Sequence, residues 1–281
     1  MVQYNKYGLR RHIPNAKKRT VRQKCGFGCV VCGSALYQYH HVDPFVSVTE
    51  HDPSRIILLC LECHGRVTSG LLSRQTVEKS ALSPKCLEKG FSSFPLDMNS
   101  NGDSASDIRV IMGTTTFINV TSFININNQS MFLISPAEVS GAPARLSALF
   151  YDTSGFQIAR IDKNEWQSAS GNWDVEIVGR RIIVRQKIGE LCLMLRSEPP
   201  DTLVVEKLNM TYQGFRVTAD AQRVSIWWPG EDQRLPGFSF CGNNPKGGTC
   251  EFSRGAKATA IAVSSNALTG EKGLSLVRSD G

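Results

Sequence analysis

Helical spacing of apolar residues appears in two places along this chain, and most of the remainder is short apolar runs cut by turn residues. Residues 14–24 fit a short basic helix, weakened by Thr20 and Val21. The Gly26-Phe27-Gly28 turn follows, and Gly33 stands where a tight turn favours a residue without a side chain. Residues 36–41 fit a strand that Pro44 ends, with a loop running through Asp52-Pro53. Ile56-Ile57-Leu58-Leu59 is a short, wholly apolar strand. From His64 to about Lys89 the spacing turns helical, broken at Ser69-Gly70 and near Ser83-Pro84, with Val67, Leu71 and Leu72 on the packed face.

Residues 91–106 are polar and turn-rich, which predicts a linker. Beyond them, residues 108–112, 116–120, 132–135, 146–151, 156–161, 173–178, 182–186, 190–195 and 203–208 are rich in β-formers. So many short strands predict an all-β domain over 107–265, most simply a β-sandwich. A β-solenoid is the alternative, because Gly-Thr-Thr-Thr-Phe (113–117) and Tyr-Gln-Gly-Phe-Arg (212–216) resemble the openings of successive coils. Residues 242–248 fit a loop and 266–281 a flexible tail. The fold class is therefore α+β, with a small N-terminal domain at 1–90 and the larger all-β domain behind the linker.

Cysteine spacing gives the N-terminal domain its chemistry. Cys29-Val-Val-Cys32 and Cys60-Leu-Glu-Cys63 are two C-x-x-C pairs, and four thiolates so spaced form a closed tetrahedral Zn²⁺ site. Cys25 is a less well-spaced substitute for Cys29. Pinning the two segments together brings His40, His41 and His64 near enough for a second, open metal site. Cys25, Cys86, Cys192, Cys241 and Cys250 are left over. That odd remainder argues against a secreted disulfide framework and for the cytoplasm. Cys241 and Cys250 flank a Gly/Asn loop, where a reduced pair is the default. With no apolar run of membrane-spanning length, neither a signal peptide nor a membrane partner is expected.

Charge separates the two parts. Residues 1–90 hold 14 Lys+Arg against 6 Asp+Glu, and residues 91–281 hold 18 against 19. Within the first 24 residues lie Arg10, Arg11, Lys17, Lys18, Arg19, Arg22 and Lys24, and no acid. Such an arm suits the phosphates of nucleic acid, with Arg66 beside His64 as a further contact. A solubilising tail, and a solvated helix face for Arg66, are the plainer readings. Trp166, Trp173, Trp227 and Trp228 fit core or edge packing better than a ligand surface.

The order C-x-x-C, a strand ending His40-His41-Val42, Pro44, then Leu58-Leu59-Cys60 and C-x-x-C-His64 resembles the HNH endonuclease family over residues 20–75. The resemblance implies a ββα-metal nuclease core hydrolysing phosphodiester bonds in double-stranded DNA. It makes His41 the general base, and His40 and His64 the ligands of a catalytic Mg²⁺ or Mn²⁺. On a regular strand, neighbouring side chains point to opposite faces, so bringing His40 and His41 together calls for a twist or bulge. Arg55 departs from the family's Asn, five residues before the third cysteine, which fixes the loop and orients the base. At that position Arg55 is a candidate phosphate contact, or a sign of an impaired site, and Ser54 a candidate loop cap. His51 in the same loop fits a solvated residue better than a metal ligand. The expected protein is a metal-dependent endonuclease, of phage or bacterial defence type, whose β domain targets, regulates or self-associates into a homo-oligomer. The alternatives are a non-catalytic zinc-knuckle nucleic-acid-binding protein and a β-domain sensor or assembly protein with an impaired nuclease domain.

Overall fold

The computed structural model describes residues 4–98, 108–117 and 122–227, and the backbone of 238–240, 262–265 and 272–275. The chain divides into two compact units, Met1–Phe94 with Gln167–Ile177, and Pro95–Trp166 with Val178–Gly281. Cys241, Cys250, Trp228, the loop 242–248, half of the expected linker and most of the expected tail lie outside the described residues. Among the described residues no helix is long and apolar enough to cross a membrane.

The first unit is built on α1 (Asn15–Lys24), the antiparallel pair β1 (Gln38–His41) and β2 (Ile56–Leu59), and α2 (Leu61–Thr68). It continues through α3 (Arg74–Leu82), α4 (Lys85–Lys89) and β3 (Phe91–Pro95). All four residues of β2 are buried, as its Ile-Ile-Leu-Leu sequence requires. They pack with Val21 of α1, Val30, Leu72 and Val77 in one core. The helix breaks fall where expected. Gly70 closes α2 at φ +79°, the Oγ of Ser73 caps α3 by accepting the N–H of Thr76, and Pro84 precedes α4. Leu71, expected on the packed face, is exposed instead, because its turn lies beyond the end of α2. Phe91–Pro95, expected to open the linker, is strand β3, where Ser92 is buried and shares a hydrogen bond with Ser168. Its polar composition hides an alternation that only this partner makes visible.

The second unit is all β. After β4 (Arg109–Met112), β5 (Thr115–Phe117), β6 (Ser122–Ile126), β7 (Gln129–Ser135), β8 (Arg145–Tyr151) and β9 (Gln157–Asp162) come β10 (Glu165–Ala169) and β11 (Asp174–Val178), most of whose residues belong to the first unit. Then follow β12 (Arg181–Lys187), β13 (Glu190–Glu198), β14 (Thr202–Tyr212), β15 (Phe215–Ala219), β16 (Val224–Trp227), β17 (Phe238–Phe240), β18 (Ala262–Ser265) and β19 (Lys272–Ser275). One sheet runs β19-β18-β6-β7-β8-β9 and the other β12-β13-β14-β15-β16-β17, with β4 parallel to the start of β14. The sheets meet where Tyr151 of β8 packs on Tyr212 of β14 at 4.8 Å and Thr211 N–H donates to the carbonyl of Asp152. Phe117, Phe123, Phe132, Phe150 and Trp166 form a continuous buried run with centroid spacings of 4.4 to 6.0 Å. Trp166 is thus core.

This is the sandwich; the solenoid alternative fails at the two segments that suggested it. Gln213 and Gly214 both have positive φ and join Tyr212 to Phe215 in a two-residue type I′ hairpin. Gly113, at φ +60°, and Thr114 form the two-residue turn that joins Met112 to Thr115. A Cβ at Gly113 would sit 2.7 Å from the backbone nitrogen of Arg223, so glycine is required there. These glycines reverse the chain instead of opening a coil.

Candidate metal centre and active site

Two tight turns present the cysteines. In the first, Gly33 (φ +88°) returns its N–H to the carbonyl of Cys29. In the second, Cys60 caps α2, its Sγ accepting the N–H of Cys63 at 3.3 Å. The Sγ atoms of Cys29, Cys32, Cys60 and Cys63 lie within 4.8 Å of one another, and Cys32 and Cys60 approach to 3.6 Å. A tetrahedral zinc with Zn–S of about 2.3 Å spaces its sulfurs about 3.8 Å apart, so the four thiols fit that ion. Packing against the first turn is close: a Cβ at Gly28 would lie 2.7 Å from the Sγ of Cys86. A hydrogen bond from the Cys32 thiol lowers the Cys29 thiol to about 5, whereas burial raises that of Cys63 to about 12. Cys25 stands outside the cluster, and burial pushes its thiol up to about 11.

β1 pairs with β2 in unbroken register, His40 opposite Ile57 and His41 opposite Ile56. No bulge turns the two rings together, and the three histidines do not form one group. His40 meets His64, on the first turns of α2, edge to face at 5.0 Å. His41 turns instead to Phe45, at 5.5 Å, and to His51, whose Nδ1 lies 3.0 Å from the His41 Nε2. Burial lowers the pKa of His41 to about 4, helped by His51, His40 and Arg11. Burial, then the neighbouring His64, lowers that of His40. Both imidazoles are neutral at pH 7, the form needed for taking a proton or binding a metal.

The loop between β1 and β2 is held from three sides. Arg55 grips Asp43 with two bonds, Nε to Oδ2 at 2.8 Å and Nη2 to Oδ1 at 3.0 Å, and Arg74 adds a third to Asp43 at 2.6 Å. The guanidinium edge expected to contact a phosphate is thus spent on a carboxylate. Asp52 accepts the N–H of Ser54, so the cap expected of Ser54 is supplied by Asp52. Lys24 Nζ donates to the carbonyls of Pro53, Ser54 and Ile56 at 2.7 to 3.0 Å. On the third side sits the N-terminal arm. Asn5 donates to the carbonyls of Phe45 and Val48 and accepts the N–H groups of Tyr7 and Leu9, which saturates its amide. The arm is a docked segment rather than a tail.

Docking sorts the basic residues. Arg10 and Arg11 are exposed, Arg11 stacking 5.4 Å above Phe45, and Arg66 is exposed on α2. Lys17 pairs with Glu50, Lys18 lies over Tyr39 and Arg19 over Trp173. Arg22, expected on a nucleic-acid surface, is 4 % exposed and clamps Asp174 with two bonds of 2.8 Å. Its place on the inner face of α1 beside Val21 removes it from any ligand. Lys24 is withdrawn by its three carbonyls. His51, expected to be solvated, is 4 % exposed, and no local signal distinguishes it in the sequence. The contacts that tie Asp43 to Arg55, Arg74 to Asp43 and Asn5 to Val48 span 12, 31 and 43 residues, so the sequence carries no local signal for them.

Four clustered thiols able to hold a metal ion thus lie on a ββα frame that also carries the His40–His64 pair. Residues 29–70 match the family model described as HNH endonuclease, and the matched segment contains both cysteine pairs and all three motif histidines. No curated protein and no solved structure matches the chain.

Proposed function

We propose that this protein is a metal-dependent endonuclease hydrolysing phosphodiester bonds in DNA. The observation that supports it most is the pairing of His40 with His64 beside a neutral His41, all on a frame with four clustered thiols. His41 removes the proton from the attacking water, and His40 with His64 hold the catalytic ion. That ion, when bound, supplies positive charge for the developing oxyanion and the leaving oxygen. Two imidazole ligands suit Mn²⁺ better than Mg²⁺. Arg11, exposed beside His41, takes the scissile phosphate, and Arg10 and Arg66 add contacts to the backbone. Arg55 acts as the loop fastener in place of the family's Asn. The all-β unit directs the nuclease, as in a phage or bacterial defence enzyme.

The test is cleavage of labelled DNA and RNA duplexes and single strands with Mn²⁺, Mg²⁺ or neither. Duplex DNA cut with Mn²⁺, and a loss of about 10²- to 10⁴-fold in His41→Ala at unchanged zinc content, are expected. Salt-sensitive binding with no cleavage in any metal would leave a zinc-knuckle binding protein instead.

A further inference from the structure

The reaction proposed above makes no use of His51, yet His51 is the most buried histidine of the chain's described residues and touches the proposed base directly. Its other nitrogen, Nε2, lies 2.8 Å from the carbonyl oxygen of Arg10. A carbonyl only accepts, so Nε2 of His51 carries a hydrogen. In a neutral His51 ring, Nδ1 is then a bare lone pair. Facing that lone pair, Nε2 of His41 must be the donor, which leaves Nδ1 of His41 as its basic nitrogen. The carbonyl of Arg10 thus fixes, through one intervening ring, which nitrogen of His41 accepts a proton.

We propose that His51 is a positioning residue which, with the Arg10 carbonyl, selects the tautomer and ring orientation of His41, making the N-terminal arm part of the active centre. The inference rests on His41 being the base. Three observations converge on it. Asn5 exists in this structure as a clamp holding the arm to the Phe45–Val48 backbone. The His51 ring is stacked on Phe45, interplanar angle 13°, so it cannot rotate freely. The Arg55–Asp43 pair and Lys24 then fix the two ends of the loop that carries His51. Both nitrogens of His51 are engaged, one by the proposed base and the other by the arm's backbone, so the ring links the two directly.

The experiment uses the full chain, zinc-loaded and otherwise free of divalent ions, labelled with ¹⁵N. Imidazole ¹H–¹⁵N correlation spectra separate protonated from bare ring nitrogens, and five histidines are few enough to assign by substitution. His41 is expected to show a protonated Nε2 and a bare Nδ1, and His51→Phe, which keeps the ring but not the bonds, to mix the two tautomers. In the cleavage assay His51→Phe should lower kcat about 10- to 100-fold with KM within about twofold. His51→Gln, whose amide can accept from His41 and donate to Arg10, should recover most of that loss. A wild-type His41 protonated on Nδ1, a His41 signal indifferent to His51→Phe, or equal kcat losses in Phe and Gln variants overturns the proposal. A chain that cuts no nucleic acid yet shows the His51-dependent tautomer refutes the nuclease reading and leaves the relay standing.

Discussion

At the scale of single residues, Arg55 shows how a position can be legible while its role is not. Counting back from the third cysteine locates it, but Asp43 twelve residues earlier decides what it does. Hydrogen bonds from Arg55 and Arg74 lower the Asp43 carboxyl to about 2. A carboxyl so depressed stays ionised down to that region, so the fastening is complete above about pH 4 and fails only as pH falls toward 2. It is therefore intact wherever cleavage would be measured. If Arg55 holds the loop, Arg55→Ala and Asp43→Ala should lower kcat by similar factors, and the double variant by no more than either. Arg55→Lys should not rescue, because an ammonium cannot make the two-pronged contact. A phosphate contact would behave otherwise: Arg55→Ala would raise KM and reduce the salt dependence, and Asp43→Ala would not.

At the scale of elements, α1 divides a basic sequence into two functions. Its charge is plain in the sequence, and its helical limits come out nearly as expected, at Asn15–Lys24. The sequence does not show which charges face inward, because a lone Val21 is too little periodicity to orient a helix. The structure orients it by its partners: Arg22 on Asp174 and Glu176, Gln23 on the Trp173 carbonyl, Arg19 over the Trp173 ring. Losing one member of a buried ion pair leaves the other charge stranded, at a cost of about 3 to 5 kcal/mol. Arg22→Met is accordingly expected to lower unfolding stability by that amount in denaturant titration, without flattening the salt dependence of DNA binding. Arg10→Ala and Arg11→Ala should do the reverse, each reducing the slope of log K against log salt by about 1 at unchanged stability. Equal slopes for all three variants would remove the exposed arm residues from the nucleic-acid surface.

For the whole molecule, the sequence shows two parts and the right kind of each, because strand and knuckle signals are local. β6, β10 and β16 escape it, since asparagines, glutamines and serines interrupt their alternation. What no local pattern can show is that the N-terminal unit takes Gln167–Ile177 from the middle of the β-rich sequence. That segment supplies Asp174 to Arg22, Ser168 to Ser92 and the backbone N–H of Ser170 to the carbonyl of Gly90. A first unit cut at the composition boundary therefore lacks part of its own core. A fragment of residues 1–98 keeps all four cysteines and should still bind one zinc, because the thiols lie within 29–63. It should nevertheless unfold at a lower denaturant concentration than the same unit in the full chain, followed through the histidine signals of the first unit. Adding a peptide of residues 165–178 in trans should raise that midpoint in a concentration-dependent way, since a ligand of the folded state stabilises it by mass action. The same peptide with Asp174→Asn should do so less well. Equal midpoints for fragment and full chain would mean that the borrowed segment contributes contacts without stability, and that the first 98 residues fold on their own.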